Sequence, residues 1–401
     1  MGNQEFKAKI LEKQLASQPK DVVFCKRCVV SNQRPRITFD ENGVCNACRF
    51  ADEKEHSIDW KAREGELASL LDKYRRNDGQ WDVLVPGSGG KDSNYVAHQL
   101  KHKYGMHPLT VTYAPFIYTD IGFKNLYNFV NAGFNNITAY HNGKIHRKLA
   151  RAAFEEIGDA FLPFIYGQFC FPFHIALRFG IKLVFYGENG EAEYGGDTSY
   201  NHKPGMPIED WVSRFWKGCN VDMLLAHVLK NKEYIDKSDF DESDLIFYRP
   251  PLGEELRKKD IQMHWFSYYR KWVPQENYYY SVEHTGFQPN PKGRSEGTYS
   301  KYTSLDDKTD GFHWYMGYIK FGLGRASRDA QMEIRHNHIT REEAVELVRK
   351  YDHEFPKTYF KDFLSYLDIS EEHFWKVVDS FRQPHLWEKV QGSWQLKHQV
   401  S

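Results

Sequence analysis

Net charge is the first thing this sequence lacks. Its 401 residues carry 54 Lys and Arg against 54 Asp and Glu, a formal balance of zero. Long nucleic acids are usually held by a basic face, so the balance argues against a nucleic acid partner. Long apolar runs are missing too. No stretch approaches the roughly 18 residues a membrane helix needs. The opening Met1-Gly2-Asn3-Gln4-Glu5-Phe6 is polar and has no secretory pattern. Phe6 stands where myristoylation after Met-Gly needs Ser or Thr. The expectation is a cytoplasmic protein with no membrane association. Cysteine is scarce at six residues, too few for a disulfide scaffold. Aromatics are plentiful, with 28 Phe, 25 Tyr and 10 Trp, and 41% of residues are hydrophobic. That is enough apolar material for sizeable cores in roughly two or three domains.

Two familiar phosphate motifs are also absent. Pro86-Gly87-Ser88-Gly89-Gly90-Lys91-Asp92-Ser93 follows the apolar run Trp81–Val85 and precedes a helical pattern from Asn94 to about residue 104. Strand, glycine-rich turn and helix together aim backbone N–H groups at an anion. A P-loop would need Gly where Val85 stands and Ser or Thr where Asp92 stands. A dinucleotide fingerprint starting at Gly87 would need Gly or Ala in place of Asp92. What remains, Ser-Gly-Gly-Lys-Asp-Ser after a strand, resembles the pyrophosphate loop of the ATP pyrophosphatases. Those enzymes cleave ATP to AMP and pyrophosphate while adenylating a substrate oxygen. The resemblance makes Gly87, Ser88, Gly89, Gly90, Lys91, Asp92 and Ser93 the pyrophosphate cradle. Tyr113 joins them as an ATP-binding candidate, and Lys91 and Asp92 are the loop's catalytic candidates.

Four of the six cysteines pair up as Cys25-Lys26-Arg27-Cys28 and Cys45-Asn46-Ala47-Cys48. Two CxxC turns at this separation fit a zinc ribbon, with four thiolates closing a tetrahedral, structural site. Two redox pairs are the alternative, but such motifs usually come singly beside a βαβ unit. Asp40-Glu41-Asn42-Gly43 supplies a turn between two short strands. Cys170 and Cys219 sit in apolar or irregular settings and read as core residues.

From residue 81 onward strands and helices alternate, which indicates a parallel sheet. Strands are expected at 81–86, 108–113, 136–140 and 181–186, with another at Asp244–Tyr248. Helices are expected at 121–131, 144–157 and 164–179. Ligands of such sheets bind at the carboxyl ends of the strands, which brings residues 87–93, 114–120 and 187–197 around one crevice. The last of these stretches contains Glu188, Glu191, Glu193 and Asp197 among four glycines. Nucleotide phosphates need Mg2+, and Mg2+ takes carboxylates. Asp92, Glu188, Glu191 and Asp197 are therefore the magnesium candidates, and Glu188, nearest the strand end, is also a catalytic candidate.

The order of ribbon, PGSGGKDS loop, FYGENGEAEYGG and an aromatic C-terminal half is similar to the bacterial N-acetyl sugar amidotransferases over about residues 20–380. That resemblance implies a Rossmann-like α/β fold of the adenine nucleotide alpha hydrolase type. It implies conversion of an acetamido group on a sugar to an acetamidino group through an O-adenylyl imidate, with ATP and Mg2+ consumed and structural Zn2+ bound. It also implies ammonia from a separate glutaminase, accompanied by a cyclase-like subunit, both resembling the histidine-biosynthesis pair. In keeping with this, the chain has no Cys after Met1 and no Gly-x-Cys-x-Gly. By resemblance the nucleotide-sugar UDP-2,3-diacetamido-2,3-dideoxymannuronate is the first substrate choice, with nonulosonic acids next, in O-antigen or other lipopolysaccharide biosynthesis. A homo-oligomer is compatible with all of this.

Residues 265–280 hold eight aromatics, and residues 292–302 form a glycine-containing loop with three cations. Aromatics stack on bases or sugars, and cations meet diphosphate or carboxylate. Arg294, Lys320, Arg325 and Arg328 are taken as substrate candidates and Lys301 as a catalytic one. Thr340 and Glu343 form a capping box that makes His336-Asn337-His338 a helix entry. His141 and His146 read as structural.

The expected layout is a helical tail at 1–21, a zinc ribbon at 22–50 and a connecting helix at 51–79. An ATP-binding parallel-sheet core with helices on both faces follows at 80–260, and a mainly helical, aromatic-rich region at 261–401. The rival function is a tRNA thiolase or another tRNA-modifying ligase with the same loop. Zero net charge and the lack of a second CxxC pair in the core stand against it.

Overall fold

The computed structural model describes residue 9 and residues 11–401. The tail expected over residues 1–21 falls partly outside this range, and its described part holds one 3-10 turn, Leu15–Ser17. Helix α1 (Asn46–His56) begins inside the second cysteine pair, and α2 (Trp60–Tyr74) follows. The carboxylate of Asp59 accepts from the backbone N–H groups of Lys61 and Ala62, each at 3.0 Å, and so caps α2. The connecting segment is thus two helices, not one, separated at residues 57–59.

Five parallel strands make the central sheet: β1 (Val83–Pro86), β2 (Pro108–Tyr113), β3 (Asn135–Ala139), β4 (Leu183–Tyr186) and β5 (Gln262–Trp265), in the order β3-β2-β1-β4-β5. The chain winds outward from β1 in one direction and from β4 in the other, so the switch point lies between them. Alternating side chains feed two cores. Leu84, Leu109, Val111 and Val184 face one, packed on α5 (Gly143–Ile157) and α6 (Leu162–Phe179). Val83, Val85, Leu183 and Phe185 face the other, against α2 and the helix after the glycine-rich turn, α3 (Lys91–His98). Burial on both faces explains why these strands are continuous apolar runs. The remaining crossover helix is α4 (Asp120–Asn131).

After β4 come α7 (Gly190–Tyr194), α8 (Trp211–Arg214), α9 (Val221–Asn231) and α10 (Gly253–Lys258). The strand expected at residues 244–248 is instead part of a 3-10 helix, Glu242–Tyr248. Leu245 and Tyr248 are buried three residues apart, while Ile246 between them is 47% exposed. That is a helical spacing, and the paired carboxylates of Asp241 and Asp244 cap its start. The fifth strand is β5, whose Gln262 and His264 hide it from a search for apolar runs.

Beyond β5 the chain is helical: α11 (Phe266–Tyr269), α12 (Pro274–Thr285), α13 (Asp310–Phe321), α14 (Arg325–Arg335), α15 (Arg341–Tyr351), α16 (Phe360–Leu367) and α17 (Glu371–Ser380). A hairpin, β6 (Trp387–Val390) and β7 (Ser393–Leu396), follows. Phe312, Phe363, Phe374 and Phe381 of this region pack on Phe154 of α5, fusing it to the sheet. Thr340 caps α15 with the reciprocal Glu343 bond, as expected. Among the described residues no helix is long and apolar enough to cross a membrane.

One buried polar cluster makes stability depend on pH. The rings of His141 and His146 stack with centroids 3.6 Å apart. His146 Nδ1 shares a 2.6 Å hydrogen bond with the Tyr248 hydroxyl, while His141 Nδ1 and His146 Nε2 have no partner. Burial pushes both imidazoles below their ordinary value, His141 to about 4. An unfolded chain takes up these protons as pH falls through about 6.5, whereas in the folded chain His141 resists until about 4 and burial likewise holds His146 neutral below its ordinary value. The stabilisation is therefore full above pH ~6.5 and is lost as pH falls toward 4. The melting temperature is expected to drop by several degrees from about pH 7 to about pH 5. His141→Phe keeps the stack, removes one titration and should show a visibly smaller drop; an equal drop would assign the acid sensitivity elsewhere.

Candidate functional site

A cavity of about 660 Å³ opens at the carboxyl ends of β1 and β4, the switch point of the sheet. Its size falls within the ordinary range for small-molecule sites. Gly87, Ser88, Gly90, Asp92 and Ser93 form one wall. Two glycines here are sterically required. A Cβ on Gly87 would lie 2.5 Å from the Cβ of Ser93. Gly89 has φ +82°, and a Cβ there would lie 2.5 Å from the Leu126 backbone. The turn hands the chain directly to α3, whose first N–H groups have no intrahelical acceptor and whose dipole favours an anion. Lys91 is buried and its ammonium pairs with the Asp92 carboxylate. Asn277 Nδ2 donates to the other Asp92 oxygen at 3.2 Å. Ser93 Oγ donates to the Gly90 carbonyl at 3.0 Å, tying the turn closed.

Glu188, just past the end of the neighbouring strand β4, lines the same cavity. Burial, and then the nearby Asp92 carboxylate, push its carboxyl above the ordinary value, against Arg328 and Lys91. Arg328 lies 3.7 Å from Glu188 Oε1, and the Tyr194 hydroxyl donates to the same oxygen at 3.3 Å. Two like-charged carboxylates facing one cavity suit a divalent cation, and Asp92 and Glu188 both line it. Glu191 also lines the cavity but is already engaged, and Asp197 lies outside the lining. Glu191 accepts from both Arg36 and the Asp197 backbone N–H, and Asp197 binds Arg214 at 2.6 Å. Their oxygens hold the acidic loop in shape, leaving Asp92 and Glu188 as the magnesium candidates. Tyr113 lines the same cavity, its hydroxyl buried and unpartnered.

The C-terminal candidates divide. Lys320 and Arg328 line the cavity. Lys320, however, is buried with its ammonium 2.5 Å from Glu12 and 2.9 Å from the Ile157 carbonyl. Arg325 packs over Trp314, 4.4 Å from the ring, and pairs with Asp329, outside the lining. Arg294 forks onto Glu354 at 2.6 and 2.9 Å and braces the 292–302 loop from within. Lys301 is exposed, away from the lining, with its ammonium 5.6 Å from the Tyr278 ring. Local composition selected these cations, but only tertiary placement decides which of them reach the site.

Several lining groups were not anticipated. Lys217 and His313 line the cavity, and both meet buried Asp159, which is not itself in the lining: Lys217 is its ion-pair partner and His313 Nδ1 is 2.9 Å away. Burial alone would raise its carboxyl; His313 and Lys217 outweigh that and hold it well below the usual carboxylate range. Arg34 and Arg36, from the segment between the two CxxC pairs, also line the cavity. Nothing in the local sequence marks them beyond two positive charges around Pro35.

The roof comes from α13 and α14, which contribute Asp310, His313, Trp314, Lys320 and Arg328. Residues 296–401 match the family described as LPS biosynthesis protein WbpG-like, C-terminal domain. A search of curated proteins found no match. The WbpG-like segment is about a quarter of the chain and carries the whole roof.

The four cysteines are buried, and their sulfurs all lie within 4.8 Å of one another. Four sulfurs bound to one tetrahedral zinc stand about 3.8 Å apart, and Cys28 Sγ and Cys45 Sγ are 3.8 Å apart. Backbone N–H groups of Arg27, Cys28 and Cys45 donate to Cys25 Sγ at 3.3–3.4 Å. Arg335 Nη2 lies 3.8 Å from Cys28 Sγ and 3.9 Å from Cys45 Sγ. Donors and a cation around four sulfurs fit thiolates, so the set is compatible with zinc.

Proposed function

We propose that this chain is an ATP-dependent amidotransferase in surface polysaccharide biosynthesis. It converts an acetamido group on a sugar to an acetamidino group and forms AMP and pyrophosphate. The observation that carries the reading is the single cavity itself. The Ser-Gly-Gly-Lys-Asp-Ser turn at the head of α3 and Glu188 at the end of β4 both line it, and its roof is carried by the WbpG-like segment.

The chemistry follows from the poor reactivity of an amide. The acetamido oxygen attacks the α-phosphorus of ATP. The bond from that phosphorus to the pyrophosphate breaks, and an O-adenylyl imidate results. Ammonia then adds to the imidate carbon, the carbon–oxygen bond breaks and AMP leaves, with one proton passing from nitrogen to solvent. The chain's own part is to position the reactants and stabilise charge. The N–H groups of the turn and α3 hold the leaving pyrophosphate. Asp92 and Glu188 would hold Mg2+, which neutralises the phosphate oxygens. Ammonia is supplied by a partner glutaminase with its cyclase-like companion, since neither Cys170 nor Cys219, both buried, is placed as a glutaminase nucleophile.

The test is incubation with ATP, Mg2+, ammonium and a panel of diacetamido sugars. AMP release that depends on a sugar is the expected result. ADP as product would overturn the assignment, and AMP release dependent on tRNA instead would move the chain to the tRNA-modifying ligases.

A further inference from the structure

The segment joining the two cysteine pairs reaches the cavity through Arg34 and Arg36. Six cations line that cavity: Arg34, Arg36, Arg214, Lys217, Lys320 and Arg328. Five have a carboxylate within 4.0 Å, namely Glu191, Asp197, Asp159, Glu12 and Glu188 in that order. Among the described residues Arg34 has none. Its Nε donates to the Gly195 carbonyl at 2.6 Å, which fixes the guanidinium, while among the described residues neither Nη group has an acceptor. Arg36 beside it is held at φ 65°, an uncommon conformation for a branched-off side chain of this size. The double hydrogen bond from Arg36 to Glu191 pins that backbone. Burial, and then the like charge of Arg328, draw the Arg34 guanidinium down to about 10, as expected of a cation cluster short of counter-charge.

We infer that Arg34, carried by the four-cysteine module, is a specificity residue that binds an anionic group of the second substrate. This deepens the amidotransferase reading and rests on it for the word substrate. The nucleotide phosphates have their own cradle at residues 87–93. Arg34 is linked to that cradle only through intermediaries: it feels the charge of Arg328, Arg328 lies 3.7 Å from Glu188, and Glu188 feels Asp92 of the cradle. Arg34 is anchored instead to Gly195, on the side where the acidic loop meets the ribbon, for a Cβ on Gly195 would lie 3.2 Å from Ala47. A guanidinium with both Nη groups free presents a planar fork to two oxygens of one carboxylate or phosphate. The module is therefore part of the recognition surface as well as a structural element.

The experiment measures binding, not turnover, by quenching of Trp265 and Trp314, which both line the cavity. Three probes separate the anion sources. UDP-N-acetylglucosamine offers a diphosphate, N-acetylneuraminic acid a carboxylate, and N-acetylglucosamine neither. Wild type should bind at least one anionic probe at least tenfold more tightly than the neutral sugar. Arg34→Met should abolish that preference while ATP affinity stays within about twofold, and Arg34→Lys should recover part of it. Zinc content and melting temperature of both variants control for folding. An unchanged preference in Arg34→Met, a parallel loss of ATP binding, or no anionic preference in wild type would each overturn the inference. Formation of ADP would overturn the amidotransferase reading and leave an anion site at Arg34 standing.

Discussion

Asp92→Asn is expected to lower AMP formation by about a thousandfold and, because it also takes the carboxylate paired with buried Lys91, to lower the melting temperature by several degrees without unfolding the chain at assay temperature. Asparagine has the shape of aspartate, and the neighbour Asn277 can still hydrogen-bond to its amide oxygen. What disappears is the negative charge at the cavity that pairs with Lys91 and acts on Glu188. A carboxylate aimed at phosphate-bound Mg2+ matters most when charge shifts toward the leaving group, so the loss should fall on kcat more than on KM for ATP. A second readout comes from Glu188, whose carboxyl is raised in part by Asp92. In the variant that carboxyl should titrate at lower pH. Wild-type AMP formation by Asp92→Asn would remove the loop from the chemistry.

The second large effect concerns the metal. A strong chelator, or Cys45→Ser, is expected to lower the melting temperature by more than about ten degrees and to open residues 22–50 to protease. Structural zinc contributes apparent binding free energies of about 10–16 kcal/mol that become folding free energy. Apart from the cysteines, the cluster around the site buries only Val30 and Ala47, and residues 22–50 add just Val29 and Phe50 as buried apolar residues. Losing the ribbon also unpairs groups elsewhere. Asn46 Nδ2 donates to the Gly196 carbonyl at 2.8 Å, Arg36 pairs with Glu191, and buried Lys54 meets buried Glu193 at 2.5 Å. Removing one partner of a buried pair costs about 3–5 kcal/mol. Elemental analysis should find one zinc per chain; a metal-free protein indifferent to chelator would refute the assignment.

How much of this was legible in the sequence follows from the range of each interaction. Strands β1, β2 and β4 could be read because a parallel strand covered on both faces is apolar or β-branched nearly throughout, and β3 because Ile137 and Thr138 are strand formers even at an edge. The glycine-rich turn could be read because steric need at Gly87 and Gly89 is local. The cysteine cluster could be read because its spacing is its geometry. Strand β5 escaped because a short edge strand tolerates Gln262 and His264. Residues 244–248 misled because an apolar run is consistent with strand or helix until burial at every third residue is seen. The cavity's charges were the least legible. Arg36 and Glu191 are 155 residues apart, and Lys320 and Glu12 are 308 apart. No local pattern separates a cation that ends in an ion pair, like Arg294, from one left open to a ligand, like Arg34.

Arg335 sets the order in which a working molecule can be made. It lies on the last turn of α14, yet its guanidinium rests against the sulfurs of Cys28 and Cys45 and donates to the Glu193 carbonyl at 2.7 Å. A chain cut short before residue 310 would have its nucleotide loop but no roof over it. During synthesis the glycine-rich turn emerges from the ribosome long before the helix that roofs the cavity, so the cavity is complete only once the cysteine module and α14 have met.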